Sequence, residues 1–262
     1  MTWSQLLLPW EFSALLCLAT ALAAMCYYHH RFAATRRQQA AFWLGLALVY
    51  VVSHTGFEYY AEHEFFMHRL QHLVLHHLGP FLLVLGLPRA LVACTWAPCR
   101  RLRSGRLGTL LWRCMSVLCH PVLSALLFNA LVVFWLIPAV HFPAMLDWRL
   151  YRVMNLSMLI NGLLFWAAVL RGLAPGREDL GVSRRVLLMI AVVPAQIVIG
   201  ALIFFAPRDL YPVYALCGRA FDGLTALQDQ QIGGLILWIP GSMMSVAGIV
   251  IVLQRRLRQR DA

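Results

Sequence analysis

The chain has 262 residues, of which 61% are hydrophobic and only 13% are charged. Soluble domains are about 45–50% apolar and about 25% charged, so this composition excludes a soluble enzyme, a disordered chain and a disulfide-stapled secreted domain. The formal net charge is +11 at pH 7, and all 22 basic residues are arginine. In a polytopic membrane protein such arginines mark particular connections between spans, and they do not indicate nucleic-acid binding.

Seven apolar runs are long enough to cross a bilayer, since a spanning helix needs about 20 mostly apolar residues. Each run is predicted to be helical because hydrocarbon does not tolerate unpaired backbone polar groups. In chain order the runs are 11–29, 41–58, 66–87, 117–137, 151–170, 186–206 and 231–253. The sequence therefore predicts an all-α polytopic bundle of seven transmembrane helices, forming a single domain over residues 1–262.

Charges in the connections predict the orientation of this bundle. Arginines gather after the first, third and fifth runs and in the C-terminal tail, whereas the other connections hold most of the acidic residues. The positive-inside rule then places the N-terminus outside and the C-terminus in the cytoplasm, with the arginines against anionic lipid. An arginine cluster follows the first run and does not precede it, so this run is predicted to be an anchor and not a cleaved signal peptide.

Histidines are the most unusual feature of the third run. His68, His72 and His76 are four residues apart, which places them along one stripe of a helix. Pro80 leaves the carbonyl of His76 without its helical donor, so we expect a bend there. The second run ends with His54 and Glu58, which a tight hairpin brings to the same membrane face. Ionisable groups inside spans mark functional sites by default.

These side chains suggest a metal site. Imidazole binds copper, zinc and iron, and thioether ligands favour Cu(I). Met154 and Met158, four apart on the fifth run, lie at the level of the histidines. The predicted cargo or cofactor is therefore copper. Two plainer interpretations remain open: the histidines as hydrogen-bonded packing groups between helices, and the methionines as core filler.

Asp229 and two pairs of cysteines have weaker signals. Asp229 opens the last run and is either an acceptor for a ligand histidine or the N-cap of its own helix. Gly233 and Gly234, which follow it, would permit close helix contact. The spacings Cys94-x4-Cys99 and Cys114-x4-Cys119 flank the basic loop, and reduced buried thiols are a better interpretation of them than a zinc site.

Three motifs carry a resemblance to a known family. They are Met67-His68-x-x-Gln71-His72 followed by Gly79-Pro80 and Gly86-x-Pro88, then Gly162-Leu163-Leu164-Phe165-Trp166, then Asp229-Gln230-Gln231-x-Gly233-Gly234-x-x-x-Trp238-x-Pro240-Gly241. In this order they resemble the motifs of the polytopic CtaG-like assembly factors of caa-type cytochrome c oxidase.

The resemblance implies a bacterial inner-membrane protein that assists the maturation of haem–copper oxidase, plausibly at copper delivery, and not an enzyme. His68 and His72 carry over as the metal-handling pair and Asp229 as a site residue. The implied partners are an oxidase subunit or a copper chaperone, with no nucleic acid. Where the family often has a histidine, seven residues before the Gly162 motif, this chain has Asn155.

Two other functions stay open on the sequence. A haem- or quinone-using membrane oxidoreductase would need histidine pairs on two helices at matching depths, and the fifth run offers only Asn155. A transporter would show the interrupted segments of an inverted repeat, which are missing from the sequence pattern. Neither a nucleophile–base pairing nor a nucleotide loop is recognisable in the sequence.

Overall fold

A computed structural model describes residues 13–31, 34–88, 105, 108–110, 117, 120–172 and 180–260 of the chain. As predicted, the architecture of these residues is helical. The four cysteines of the spacings around the basic loop lie outside the described residues, so the prediction about them is not addressed.

The described residues form a series of helices. In chain order they are α1 Ala14–His30, α2 Arg36–His54, α3 Gly56–His63, α4 Phe65–His72, a π-helical segment Leu73–Leu78, α5 Gly79–Gly86, α6 Pro121–Leu136, α7 Pro138–Leu146, α8 Trp148–Arg171, α9 Val182–Phe204, α10 Val213–Cys217 and α11 Ala226–Arg260.

Each of the seven predicted runs coincides with helical residues, but the boundaries differ. The second run is divided at Thr55, whose extended backbone ends α2 and whose side chain accepts a hydrogen bond from the backbone of Phe57 to start α3. The short helices α7 and α10 were not predicted. Both lie in connections where apolar length alone gives no signal.

By length and composition, α8, α9 and α11 are each able to cross a membrane. Helices α6 and α7 meet at a bend of 75° and together make a fourth candidate. The protein is therefore a helical membrane protein, while the count of seven spans and the orientation of the termini stay predictions.

Close helix contacts occur where glycines remove side chains. A Cβ on Gly234 of α11 would lie 2.8 Å from the carbonyl oxygen of Gly200 on α9, and a Cβ on Gly200 would lie 2.8 Å from that of Gly234. The neighbouring Gly233 packs against the ring of Phe65 on α4. The prediction that Gly233 and Gly234 permit close contact is confirmed, and α11 thereby touches both α9 and α4.

The histidine-bearing rod runs from α4 through the π-helical segment into α5 without leaving helical backbone. The π turn ends at Gly79, whose N–H bonds to the carbonyl of Val74. Pro80 has no N–H to give to the carbonyl of His76. The indole of Trp166 on α8 takes this place and donates to the His76 carbonyl at 3.3 Å.

Candidate functional site

Helix α4 begins against α11, and this contact positions the histidines. Asp229 accepts the backbone N–H of Phe65 at 2.9 Å and that of Phe66 at 2.7 Å. These are orphan donors in the first turn of α4, so Asp229 caps that helix from across the bundle. Its own helix is capped instead by Thr225, which accepts the N–H of Gln228. Asp229 therefore caps α4, and the alternative that it caps its own helix α11 is wrong.

Arg219 links Asp229 to a second buried carboxylate. Its guanidinium lies 2.7 Å from Glu64 and 2.9 Å from Asp229. Glu64 also accepts the backbone N–H groups of Ala220 and Phe221. Burial raises the pKa of Glu64, and the hydrogen bond from Phe221 partly opposes that effect. We call Glu64, Arg219 and Asp229 the carboxylate clamp, because they hold the α9–α11 connection on the start of α4.

The connection between α9 and α11 is fixed at other points too. Gln230 accepts the N–H of Leu210 at 2.6 Å and donates to the carbonyls of Ile203 and Arg208. Tyr211 donates its hydroxyl to the carbonyl of Leu136 at 3.0 Å. Burial raises the pKa of Tyr211 to about 12, so this hydroxyl stays a donor. The adjacent Asp229 and Gln230 therefore have separate structural tasks.

His68 and His72 lie side by side, one turn into this helix. Their ring centroids are 4.4 Å apart, and both side chains are buried. Neither nitrogen of His68 nor Nδ1 of His72 forms a regular hydrogen bond to a described residue, although the carbonyl of Ala61 lies near the His68 ring. Buried polar atoms usually have partners. This imidazole pair therefore holds lone pairs that a ligand could use.

Asn155 on α8 fixes the orientation of one of these rings. Its side-chain oxygen lies 3.0 Å from Nε2 of His72. Because an amide oxygen only accepts, Nε2 carries the hydrogen and Nδ1 keeps its lone pair. Metal-ligating histidines commonly donate their other N–H in this way. Asn155 thus stands opposite His72, at the place where the resemblance led us to consider a third imidazole.

His76 has left the stripe that the sequence predicted. Its Nε2 donates to the side-chain oxygen of Asn161 at 3.3 Å, and its ring stacks on Phe128 with centroids 3.8 Å apart. The π-helical segment begins after His72, and its i→i+5 bonds break the four-residue register. His76 is accordingly a partner of α6 and α8 and not a neighbour of the His68 ring.

The remaining predicted residues are distributed around the pair. His54, at the end of α2, lies 3.5 Å from the sulfur of Cys17 on α1. Glu58 is buried in α3. Met154 and Met158 are fully buried in an apolar cluster with Tyr151, and Met158 shares a small cavity with His72. Among the described residues, no group of three or more His, Cys, Asp or Glu side chains is arranged to hold a metal ion.

Sequence reasoning missed His141, which lies next to the pair. His141 on α7 has its ring centroid 5.3 Å from that of His68. Its Nδ1 donates to the carbonyl of Trp135 and its Nε2 faces the hydroxyl of Tyr214 at 3.0 Å. The only local signal was a histidine between Pro138 and Pro143, and nothing in the sequence connected that turn to His68.

Gln71 supports the pair from behind. Its amide donates to the carbonyl of Val52 at 2.7 Å and accepts the hydroxyl of Tyr151 at 2.9 Å. The spacing His68-x-x-Gln71-His72 therefore combines two buried imidazole rings with one buried amide that links α2 to α8. The three sequence motifs, which are far apart along the chain, therefore meet in the fold around α4 and the helical segments that continue it.

A family model for the cytochrome c oxidase caa3 assembly factor matches residues 19–259. The chain belongs to this family. The family is described as one of assembly factors for the caa3-type cytochrome c oxidase. The resemblance drawn from the three motifs is confirmed.

Two uncharacterized mycobacterial proteins are among the relatives of this family member. One is from Mycobacterium bovis and one from Mycobacterium tuberculosis, and each is 26% identical over 98% of this chain. The chain spans 41% of the length of these relatives. No solved structure matches the chain significantly.

Proposed function

We propose that this assembly factor holds Cu(I) as cargo between His68 and His72 and passes it to a cytochrome c oxidase subunit. The observation that carries the proposal is the buried pair of rings, 4.4 Å apart, with ring nitrogens that lack regular hydrogen bonds among the described residues. Two histidines at i and i+4 on one helical face are a recurring way to grip one ion.

The donor set favours a soft or borderline ion. The ligands offered are neutral imidazoles, with the thioether of Met158 lining the cavity next to His72. Such ligands suit Cu(I), whereas Mg²⁺ and Ca²⁺ prefer oxygen. Asn155 supports this role because it sets the tautomer of His72 that leaves Nδ1 available.

A site with few protein ligands also suits transfer. With only two imidazoles fixed in place, the partner's ligands can complete the coordination and withdraw the ion. In the predicted seven-span orientation, α4 starts at the outer face, so His68 and His72 lie within two turns of that face. The expected partner is an oxidase subunit, or a copper chaperone that loads the site.

The alternative, a haem-binding oxidoreductase, has less support from the geometry. A bis-histidine haem needs imidazoles on opposite sides of the macrocycle. His141 is the imidazole on another helix that faces His68, and a centroid separation of 5.3 Å leaves no room for a porphyrin between them. The cavity beside His72 has a volume of about 20 Å³, which is too small for a haem.

Cu(I) binding by the purified protein tests the proposal. His72→Ala is expected to weaken Cu(I) affinity at least tenfold, about 1.4 kcal/mol, measured by competition with a chromogenic Cu(I) chelator. His76→Gln is the matched control, because His76 lies on the same rod but is bound to Asn161, and it should change affinity less than twofold. Unchanged copper affinity in His72→Ala would overturn the site, as would an equal loss in both variants.

A further inference from the structure

Arg69 is the least expected charge in the bundle. The residue is 3% exposed, and its Nε and Nη2 atoms have no hydrogen-bond partner among the described residues. Within that part of the chain it forms no ion pair either. Its guanidinium carbon lies 5.2 Å from the centroid of the Phe65 ring.

An arginine in this position carries its charge. The guanidinium group stays protonated under all ordinary conditions in proteins, and a buried ion without a partner is strongly unfavourable. The groups that interact electrostatically with Arg69 are the phenols of Tyr151, Tyr211 and Tyr214 and the imidazoles of His68, His72 and His141. Neutral hydroxyls and imidazoles do not balance a full positive charge, so the described residues around Arg69 supply no anion.

A cavity adjoins the guanidinium. Its volume is about 20 Å³, enough for one particle of roughly the size of a water molecule. Polar and apolar groups share its wall, and no acidic side chain is among them; its lining includes Arg69, His72, His76, His77, Met158 and Gly241. The sign of the charge on this wall therefore favours an anion.

A neutral polar side chain lies behind Gly241, which lines the cavity. Gln196 on α9 is fully buried, and neither end of its side-chain amide has a partner among the described residues. A Cβ placed on Gly241 would lie 3.0 Å from the amide oxygen of Gln196 and 3.9 Å from the ring of His77. Gly241 thus separates the Gln196 amide from the cavity, whereas the neutral imidazole of His77 is part of the cavity wall.

We infer that this cavity binds a small monovalent anion, of the size of a halide, with Arg69 as its counter-charge. The competing account is compensation at a distance by the carboxylate clamp, where two carboxylates share one guanidinium and leave one negative charge. Those carboxylates lie at the start of α4, and both are already occupied by Arg219 and by backbone N–H groups. The anion site shares His72 and Met158 with the proposed copper site, but its argument rests on the buried charge of Arg69 and not on copper binding.

Halide-dependent stability tests the inference on the copper-free, full-length protein in detergent. The unfolding temperature is measured in sodium chloride, sodium bromide and sodium gluconate at equal ionic strength. A ligand that binds only the folded state raises that temperature, so chloride and bromide are expected to stabilise the protein relative to gluconate, which is too large for the cavity. Arg69→Met should abolish the difference, while Arg149→Met, at an exposed arginine, should retain it.

Bromide soaked into crystals of the wild-type protein provides a second measurement, which does not need a folded Arg69 variant. An anomalous peak inside the cavity, next to Arg69, is the expected result. Equal unfolding temperatures in chloride and gluconate would overturn the inference. So would a cavity without an anomalous peak, which would mean that water fills it and that the clamp supplies the compensation.

Discussion

Replacing Asp229 by alanine is expected to lower the free energy of unfolding by about 3 kcal/mol, the lower part of the range for breaking a buried ion pair. The change removes the acceptor for the N–H groups of Phe65 and Phe66 and leaves Arg219 with Glu64 alone. Part of the charge on Arg219 reaches solvent, since its side chain is 20% exposed, which keeps the loss from being larger. Reversible unfolding in mixed detergent micelles measures the change.

The same substitution should also loosen the start of α4, so Cu(I) affinity is expected to fall together with stability. Asp229→Asn keeps an oxygen acceptor for one backbone N–H and should lose less than Asp229→Ala. Asp222→Asn is the matched control, because Asp222 is exposed in the same connection, and surface substitutions usually stay within about 0.5 kcal/mol. If Asp229→Ala unfolds like the wild-type protein, Asp229 does not hold α4 in place.

Substitution of Gly162 by leucine is expected to have the second large effect, a loss of about 3 kcal/mol or failure to assemble the bundle. A Cβ at this position would lie 2.5 Å from the carbonyl oxygen of His76 and 2.9 Å from the ring of Pro80. The obstacle is backbone, which cannot turn aside as a flexible side chain can. Helix α8 would have to move away from the rod, which breaks the bond from Trp166 to the His76 carbonyl.

Gly223→Leu is the control for this prediction, because a Cβ on Gly223 would meet nothing within 4 Å. Thermal unfolding and the near-ultraviolet circular dichroism of the tryptophans, of which Trp166 is one, report the two variants. A Gly162→Leu protein with wild-type stability and an unchanged tryptophan signal would show that α8 does not need to approach the rod so closely.

The positions of the helices were predictable because apolar length is a local property of the sequence. The break at Thr55 and the helix α7 were not, since each depends on side-chain and backbone bonds that compete with a continuous span. His68 and His72 were predicted as a pair from a spacing that α-helical geometry preserves. His76 fitted the same spacing, but the π-helical segment after His72 takes it to Asn161.

Partners across the bundle were the least predictable part of the site. Asp229 was considered for its own helix, yet its hydrogen bonds reach residues more than 160 positions away along the chain. Arg69 has a sequence context that resembles any interfacial arginine, and only its burial in the fold singles it out. Pro80, Gly162 and Trp166 were recognised as parts of motifs. Only the structure shows that all three are arranged around one group, the backbone carbonyl of His76.

The metal content of the oxidase in cells that lack this protein tests the central claim most directly. The account predicts that the purified oxidase retains its haem but loses copper, so that the copper-to-haem ratio falls, and that the wild-type gene restores the ratio while His72→Ala does not. An oxidase with full copper in the deletion strain, or one that loses haem in place of copper, would contradict the account.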